Sequence, residues 1–96
     1  MLVLITYDVS TETADGKKRL ARIAKRCVAH GQRVQNSVFE CILDSAQLVA
    51  LQSELKKLMN AEEDSLRFYR LGDKYASKVD HFGIKPSIPL EGTLII

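Results

Sequence analysis

The chain opens with a short apolar run, since residues 2–5 read LVLI. A run of β-branched and other apolar residues, stopped by polar ones near Asp8, predicts a strand that is buried on both faces. Side chains alternate along a strand, so Leu4, Thr6 and Asp8 share one face, whereas Ile5 and Tyr7 share the other. We therefore expect Tyr7 in the core and a carboxylate at the tip of the strand.

Two later stretches have helical periodicity. The first, residues 15–30, places four side chains on one side at 100° per residue: Leu20, Ile23, Ala24 and Cys27. Ser10, Thr11 and Thr13 are turn or capping candidates before it, and Gly31 is expected to stop it. The second helix is expected to begin at Asp44, with Gln47 completing a capping box, and to continue to about residue 60. Its leucines face a core.

Three further strands complete the pattern. Residues 32–35 and 38–43 predict two strands joined by a tight turn at Asn36 and Ser37, and residues 66–71 predict a fourth strand ended by Gly72. The order is therefore strand, helix, strand, strand, helix, strand. This order predicts an α+β ferredoxin-like βαββαβ sandwich, in which a four-stranded antiparallel sheet carries both helices on one face.

The other face of that sheet is also apolar in sequence, and a second copy of the chain is the simplest cover for it. Residues 83–92 predict an extended arm with two prolines, and residues 93–96 (TLII) predict a short apolar strand. We therefore expect a ferredoxin-like domain over residues 1–82. Residues 83–96 are expected to form a C-terminal arm and strand that packs on the partner in a homodimer.

Composition narrows the class of protein. A length of 96 residues, with 46% hydrophobic and 27% charged residues, fits one globular domain with one core. No apolar run approaches the ~20 residues that span a bilayer, and the first strand lacks a basic leader. We expect a cytoplasmic protein with no membrane partner. Cys27 and Cys41 lack metal-type spacing and are expected to be buried small hydrophobic residues.

Positive charge is concentrated between Asp15 and Glu40, although the net charge is only +2. This window has no acidic residue and holds half of the chain's fourteen lysines and arginines, among them Arg33. Five of them lie opposite the apolar side of the first helix, on an arc of roughly 120°: Lys18, Arg19, Arg22, Lys25 and Arg26. A solvated face is the alternative, but solvated faces usually mix signs, and the window between Asp15 and Glu40 supplies no acidic i, i+4 partner for these charges. We interpret the arc as a contact surface for a nucleic acid.

Asp8 is the main candidate for chemistry. A rigid strand positions a metal ligand well, whereas an aspartate at a strand end also commonly caps a turn. Both roles remain open from strand geometry. Ser10 and Ser37, near strand ends, could help to place a phosphate or could serve the turns. Glu40 could pair with a basic residue across the sheet or the dimer.

Several blocks of the sequence resemble the small CRISPR-associated protein of the spacer-acquisition machinery, called here the Cas-two family. They are Tyr7-Asp8, the basic first helix, residues 31–40 (GQRVQNSVFE), residues 68–71 (FYRL), residues 80–87 (DHFGIKPS), and residues 91–92 and 94–96. The similarity covers essentially the whole chain, and residues 34–40 are its most specific part.

The resemblance implies a ferredoxin-like homodimer that acts in spacer acquisition for antiviral defence. It implies a metal-dependent nuclease on RNA or double-stranded DNA in some members, and a bridge between dimers of the CRISPR integrase subunit. The family's metal-site aspartate falls on Asp8, so two copies of Asp8 would face each other across the twofold axis. Two close carboxylates favour a cation between them, which implies Mg²⁺ (or Mn²⁺), with waters and phosphate oxygens completing its shell.

Two functional hypotheses from different classes follow. In the first, the protein is a magnesium-dependent endonuclease with Asp8 as its catalytic and metal-binding residue. In the second, it is a non-catalytic dimeric adaptor that holds duplex DNA through its basic helix and docks the integrase. A toxin-like ribonuclease of the same fold would share the first strand and the sheet but does not account for residues 83–96.

Overall fold

The structure is a computed structural model, and it describes residues 1–83. Six elements follow one another in this part of the chain: β1 (Leu2–Asp8), α1 (Ala14–Val28), β2 (Gly31–Gln35), β3 (Val38–Ile42), α2 (Ser45–Leu58) and β4 (Ser65–Gly72). The predicted C-terminal arm and strand lie outside the described residues, except for Gly83. Neither described helix has the length and apolar character needed to cross a bilayer.

The four strands form one antiparallel sheet in the order β2-β3-β1-β4, so β1 is a central strand between β3 and β4. The core lies between this sheet and the two helices. Ile5 and Tyr7 of β1 are buried there against Ile23 of α1 and Leu55 of α2. The predicted ferredoxin-like fold is confirmed, as is the placement of Tyr7 in the core.

The opposite face of the sheet is open. The register pairs Leu4 with both Glu40 and Tyr69, so these three side chains share that face. Leu4 and Glu40 are partly buried, while Tyr69 is 43% exposed. Glu40 therefore lies between Leu4 and Gln32, its partner on β2.

Helix α1 begins as predicted but ends earlier. The Thr13 side chain accepts a hydrogen bond from the Gly16 backbone at 3.0 Å, which satisfies one of the free N–H groups of the first turn. The prediction that Gly31 stops the helix is wrong, because the helix ends at Val28 and Gly31 is the first residue of β2. A Cβ at Gly31 would lie 1.9 Å from the backbone oxygen of Glu40, so glycine is needed there for close strand approach.

Helix α2 begins with the predicted capping box, in which Asp44 accepts from the Gln47 backbone and Gln47 accepts from the Asp44 backbone. It ends at Leu58, about two residues earlier than predicted, because the chain enters a turn. In this turn the Asn60 carbonyl accepts from Glu63 at 3.1 Å and from Asp64 at 2.8 Å. The turn brings Asp64 beside the end of β1.

Cys27 and Cys41 are both fully buried free thiols, as predicted. The Cys41 Sγ donates to the Cys27 carbonyl oxygen at 3.4 Å, which ties β3 to α1. They serve the core as small hydrophobic residues with a weak donor.

Candidate metal and nucleic-acid site

Asp8 lies at the tip of a central strand that is fixed on both sides. Asp8 pairs with Ser65 of β4 on one side. On the other side, the backbone N–H of Tyr7 donates to the Ser37 carbonyl, beside β3, at 2.9 Å. The Asp8 side chain is exposed and makes no hydrogen bond to another residue of the part of the chain that the structure describes. Within residues 1–83 the Asp8 side chain therefore caps no turn, and its carboxylate is accessible from solvent.

A polar groove of about 350 Å³ opens beside this carboxylate. Its lining consists of Thr6, Tyr7, Asp8, Ser37, Ser65 and Arg67. Ser37, which the sequence suggested as an accessory residue, is thus brought next to Asp8. Ser10 is not among the lining residues, and its hydroxyl instead accepts a 3.4 Å hydrogen bond from the Glu12 backbone within the loop.

Arg67 is a member of this groove that the sequence interpretation missed. It lies directly opposite Thr6 on the neighbouring strand, and its Nη1 lies 3.4 Å from the Tyr69 hydroxyl. The Tyr69 hydroxyl and, more weakly, the Asp8 charge raise the pKa of Arg67. Alternation along β4 could have indicated this, because Arg67 and Tyr69 alternate with the apolar residues Leu66 and Phe68 and so lie on the opposite face.

Around Asp8 the groove offers the hydroxyl oxygens of Thr6, Ser37 and Ser65, which suit a hard cation such as Mg²⁺ or Mn²⁺. The Arg67 guanidinium in the same groove has only N–H donors and binds no metal. Residues 1–83 contain no cluster of three or more His, Cys, Asp or Glu side chains that could hold a metal ion. Magnesium ions in proteins commonly keep several waters and use only one or two carboxylates plus substrate phosphates. The residues would therefore suit a largely hydrated ion, to which the described part of one chain would offer a single carboxylate.

Within the described residues, some side chains of the basic arc on α1 have an acidic partner and others have none. Lys18, Arg22 and Lys25 are exposed and follow one another at helical spacing along the same side. Arg22, Lys25 and Arg26 also line a groove of about 360 Å³ together with Leu58 of α2. Arg26 pairs with Glu54 of α2 at 3.2 Å, but both side chains are about half exposed, so this pair contributes little stability.

Arg19 departs from the expectation that these charges lack partners. Its Nε donates to Asp64 at 2.8 Å and its Nη2 donates to the second Asp64 oxygen at 3.2 Å. The Asp64 side chain is fully shielded from solvent, and only 15% of the Arg19 side chain is exposed. The acidic partner comes from the turn before β4 rather than from the helix, so i, i+4 spacing could not indicate it.

Asp64 is the centre of a buried polar network. Besides Arg19, it accepts hydrogen bonds from the Tyr7 hydroxyl and from the Asn60 backbone. Burial alone would raise the pKa of Asp64, but the hydrogen bonds from Arg19, Tyr7 and Asn60 lower it below its ordinary value. Burial and the hydrogen bond to Asp64 raise the pKa of Tyr7 to about 12. This network anchors the residue directly before Asp8.

Arg33 lies at the β2 edge of the sheet. Its Nε donates to the Asn36 carbonyl at 2.7 Å, and its guanidinium lies 5.6 Å from the centre of the buried Phe39 ring. This is cation–π distance. The side chain is still exposed, so its remaining donors face solvent.

The fold and the site define a class of protein, namely a ferredoxin-like domain with an exposed strand-end carboxylate, a polar groove and a basic helix. A family model described as CRISPR associated protein Cas2 matches residues 1–79. The chain belongs to this family, as the resemblance in its sequence indicated.

Relatives of the chain extend over its whole length. It is 62% identical over 95 residues to the CRISPR-associated endonuclease Cas2 of Halalkalibacterium halodurans, with 99% of each chain covered. It is 57% identical over 96 residues to the CRISPR-associated endoribonuclease Cas2 of Chlorobaculum tepidum, with both chains fully covered. The crystal structure of Streptococcus pyogenes Cas2 at pH 6.5 superimposes with a TM-score of 0.79 at 49% identity, covering 86% of this chain and 100% of that one.

Proposed function

We propose that this protein is a Mg²⁺- or Mn²⁺-dependent endonuclease that hydrolyses phosphodiester bonds of double-stranded DNA or RNA during CRISPR spacer acquisition in the cytoplasm. The observation that carries the proposal is the exposed Asp8 carboxylate, which has no ion-pair partner among residues 1–83 and lies on a rigid central strand inside a polar groove. Endonuclease and endoribonuclease relatives at 62% and 57% identity support the same reaction class.

The proposed active unit is a homodimer. Within residues 1–83 one chain offers a single carboxylate to the cation, so a second Asp8 from a partner copy would double the protein ligands. The open sheet face supports this arrangement, since the face that carries Asp8 also carries the partly exposed Leu4 and the exposed Tyr69. Covering such apolar surface stabilises association.

Hydrolysis requires that a water oxygen form a bond to phosphorus while the bond from phosphorus to one sugar oxygen breaks and that oxygen gains a proton. Asp8 would hold the cation, and the exposed Lys18, Arg22 and Lys25 would hold the backbone of the nucleic acid. The cation, when bound, supplies Lewis acidity and offsets the charge that develops on the phosphate. Because no described element reads base edges, cleavage is expected to depend weakly on sequence.

The second candidate function is that of a non-catalytic adaptor which holds duplex DNA and docks the CRISPR integrase subunit. A specific observation favours it, because each chain offers one carboxylate to the cation, whereas its exposed basic surface is independent of Asp8. In this case Asp8 would affect association of the subunits rather than chemistry.

The test is cleavage of labelled duplex DNA and RNA by the wild type and by Asp8→Asn, each with Mg²⁺ and with a chelator. Glu12→Gln is the matched control, since it removes another exposed carboxylate from the following loop. The nuclease proposal expects cleavage by the wild type and the control in Mg²⁺, and none by Asp8→Asn. Equal cleavage by wild type and Asp8→Asn would refute catalysis at Asp8 and favour the adaptor.

A further inference from the structure

We propose that Arg67, together with the hydroxyls of Ser37 and Ser65, forms a subsite for a phosphate group immediately beside Asp8. The inference rests on the proposed nuclease function and adds to the proposed active site a residue that contacts the phosphate beside the cation. Its ligand is a phosphodiester of the nucleic-acid backbone, held next to the carboxylate that takes the cation.

The sheet register places these side chains together. Asp8 is opposite Ser65 and Thr6 is opposite Arg67, so all four lie on the open face. Asp8 and Arg67 are diagonal neighbours, a relation that puts backbones roughly 7–8 Å apart and within reach of a long side chain. Ser37 joins them from the other side, since its carbonyl accepts from the Tyr7 backbone at 2.9 Å.

Arg67 has N–H groups that bind no acceptor among residues 1–83. Among residues 1–83 its hydrogen-bond partner is the Tyr69 hydroxyl at 3.4 Å, and it forms no ion pair with a carboxylate of that part of the chain. Arg19 and Arg26, by contrast, each hold a carboxylate. An exposed guanidinium that borders Asp8 without pairing with it keeps its planar pair of N–H groups available.

Phosphate oxygens match this set of groups chemically. A guanidinium binds two of them through parallel charge-assisted hydrogen bonds, and serine hydroxyls add single donors. Negative charge on the non-bridging oxygens must be stabilised as water attacks, so a fixed cation there lowers the barrier. Arg67 would therefore contribute to both binding and turnover.

The experiment compares Arg67→Gln and Arg67→Lys with Arg70→Gln. Arg70 is a matched control, because it is exposed on the same strand but pairs with Val3, whose side chain faces the helices. Single-turnover cleavage in Mg²⁺ is measured for each variant. A loss of charged hydrogen bonds predicts a roughly 10- to 100-fold slower rate for Arg67→Gln. Arg67→Lys should be intermediate, and Arg70→Gln should match the wild type.

A second readout avoids catalysis altogether. Inorganic phosphate is titrated into metal-free protein, and amide NMR shifts of Ser37 and Ser65 are followed. The inference expects saturable shifts in the wild type and in Arg70→Gln, and their loss in Arg67→Gln. The inference would be overturned if Arg67→Gln kept the wild-type shifts or if Arg70→Gln lost as much rate as Arg67→Gln. It would also be overturned if Arg67→Gln no longer formed the oligomer that the wild type forms.

The two proposals can fail separately. An inactive Asp8→Asn combined with a fully active Arg67→Gln would leave the nuclease standing and refute the phosphate subsite. An active Asp8→Asn would refute catalysis at Asp8, and the phosphate titration alone would then decide whether Arg67 binds phosphate.

Discussion

Removal of the Asp64 carboxylate is expected to destabilise the protein more than any exposed charge substitution. In Asp64→Ala the buried Tyr7 hydroxyl loses its acceptor, and Arg19 loses both oxygens of its bidentate partner. Breaking a buried ion pair from one side typically costs about 3–5 kcal/mol. We expect about 3 kcal/mol, because the partly exposed Arg19 can turn to water whereas Tyr7 cannot.

Urea unfolding followed by circular dichroism measures this loss. Glu63→Ala is the control, since Glu63 lies next to Asp64 in sequence and 4.0 Å from the Arg19 Nη2 but is 64% exposed. It should cost less than about 0.5 kcal/mol. Tyr7→Phe should cost about 1 kcal/mol alone and less than that in the Asp64→Ala background, because the hydroxyl there already lacks its partner.

The dependence on pH tests the same reasoning independently. Because the folded pKa of Asp64 lies below its ordinary value, its stabilisation is complete above that ordinary value. The stabilisation disappears as pH falls through the lower, folded pKa, so wild type and Asp64→Ala should converge in strong acid. A loss no larger than that of Glu63→Ala, or a difference that persists unchanged in strong acid, would refute the network as described.

Two further predictions concern the alkaline range and the basic helix. Tyr7 has a folded pKa of about 12 against an ordinary 10.0, so the stability it contributes should be complete below pH 10 and lost as pH rises through 12. Unfolding free energies measured from pH 9 to 12 check this. Tyr7→Phe should abolish that loss. Lys18→Ala/Arg22→Ala/Lys25→Ala should weaken duplex binding in anisotropy titrations and reduce the salt-dependence slope by roughly 2–3. Lys57→Ala is the control, and an unchanged slope in the triple variant would remove α1 from the binding surface.

The fold was largely predictable because its determinants are local. Alternation along residues 2–8 placed Tyr7 inward and Asp8 outward, and the side chains of Asp44 and Gln47 identified the start of α2. The prediction that Gly31 stops α1 was wrong for a physical reason. A glycine after a helix usually supplies a left-handed residue, but here the lack of a side chain serves the approach of β2 to the Glu40 carbonyl. Such a close contact exists only in the assembled sheet.

The candidate site was predictable only in part. The positions of Asp64 and Arg67 next to β1 result from contacts between segments that are distant in sequence. Arg19 and Asp64 are 45 positions apart, so no periodicity links them. Arg67 becomes relevant to Asp8 only when β4 pairs with β1 in the observed register. The sequence interpretation therefore found the acidic strand tip and the basic helix, but treated Arg19 as a free charge when it serves the core.

The two aspartates near the end of β1, Asp8 and Asp64, lie in opposite environments. Tyr7 points to the helix side of the sheet and reaches Asp64, which receives Arg19 from α1. Asp8, one position later, points to the open side, as period-2 alternation requires. The Arg19 side chain of α1 is thus paired with the Asp64 carboxylate and forms no ion pair with Asp8. In the proposed site Asp8 would therefore be available to hold the cation, while the same network holds the strand that carries it.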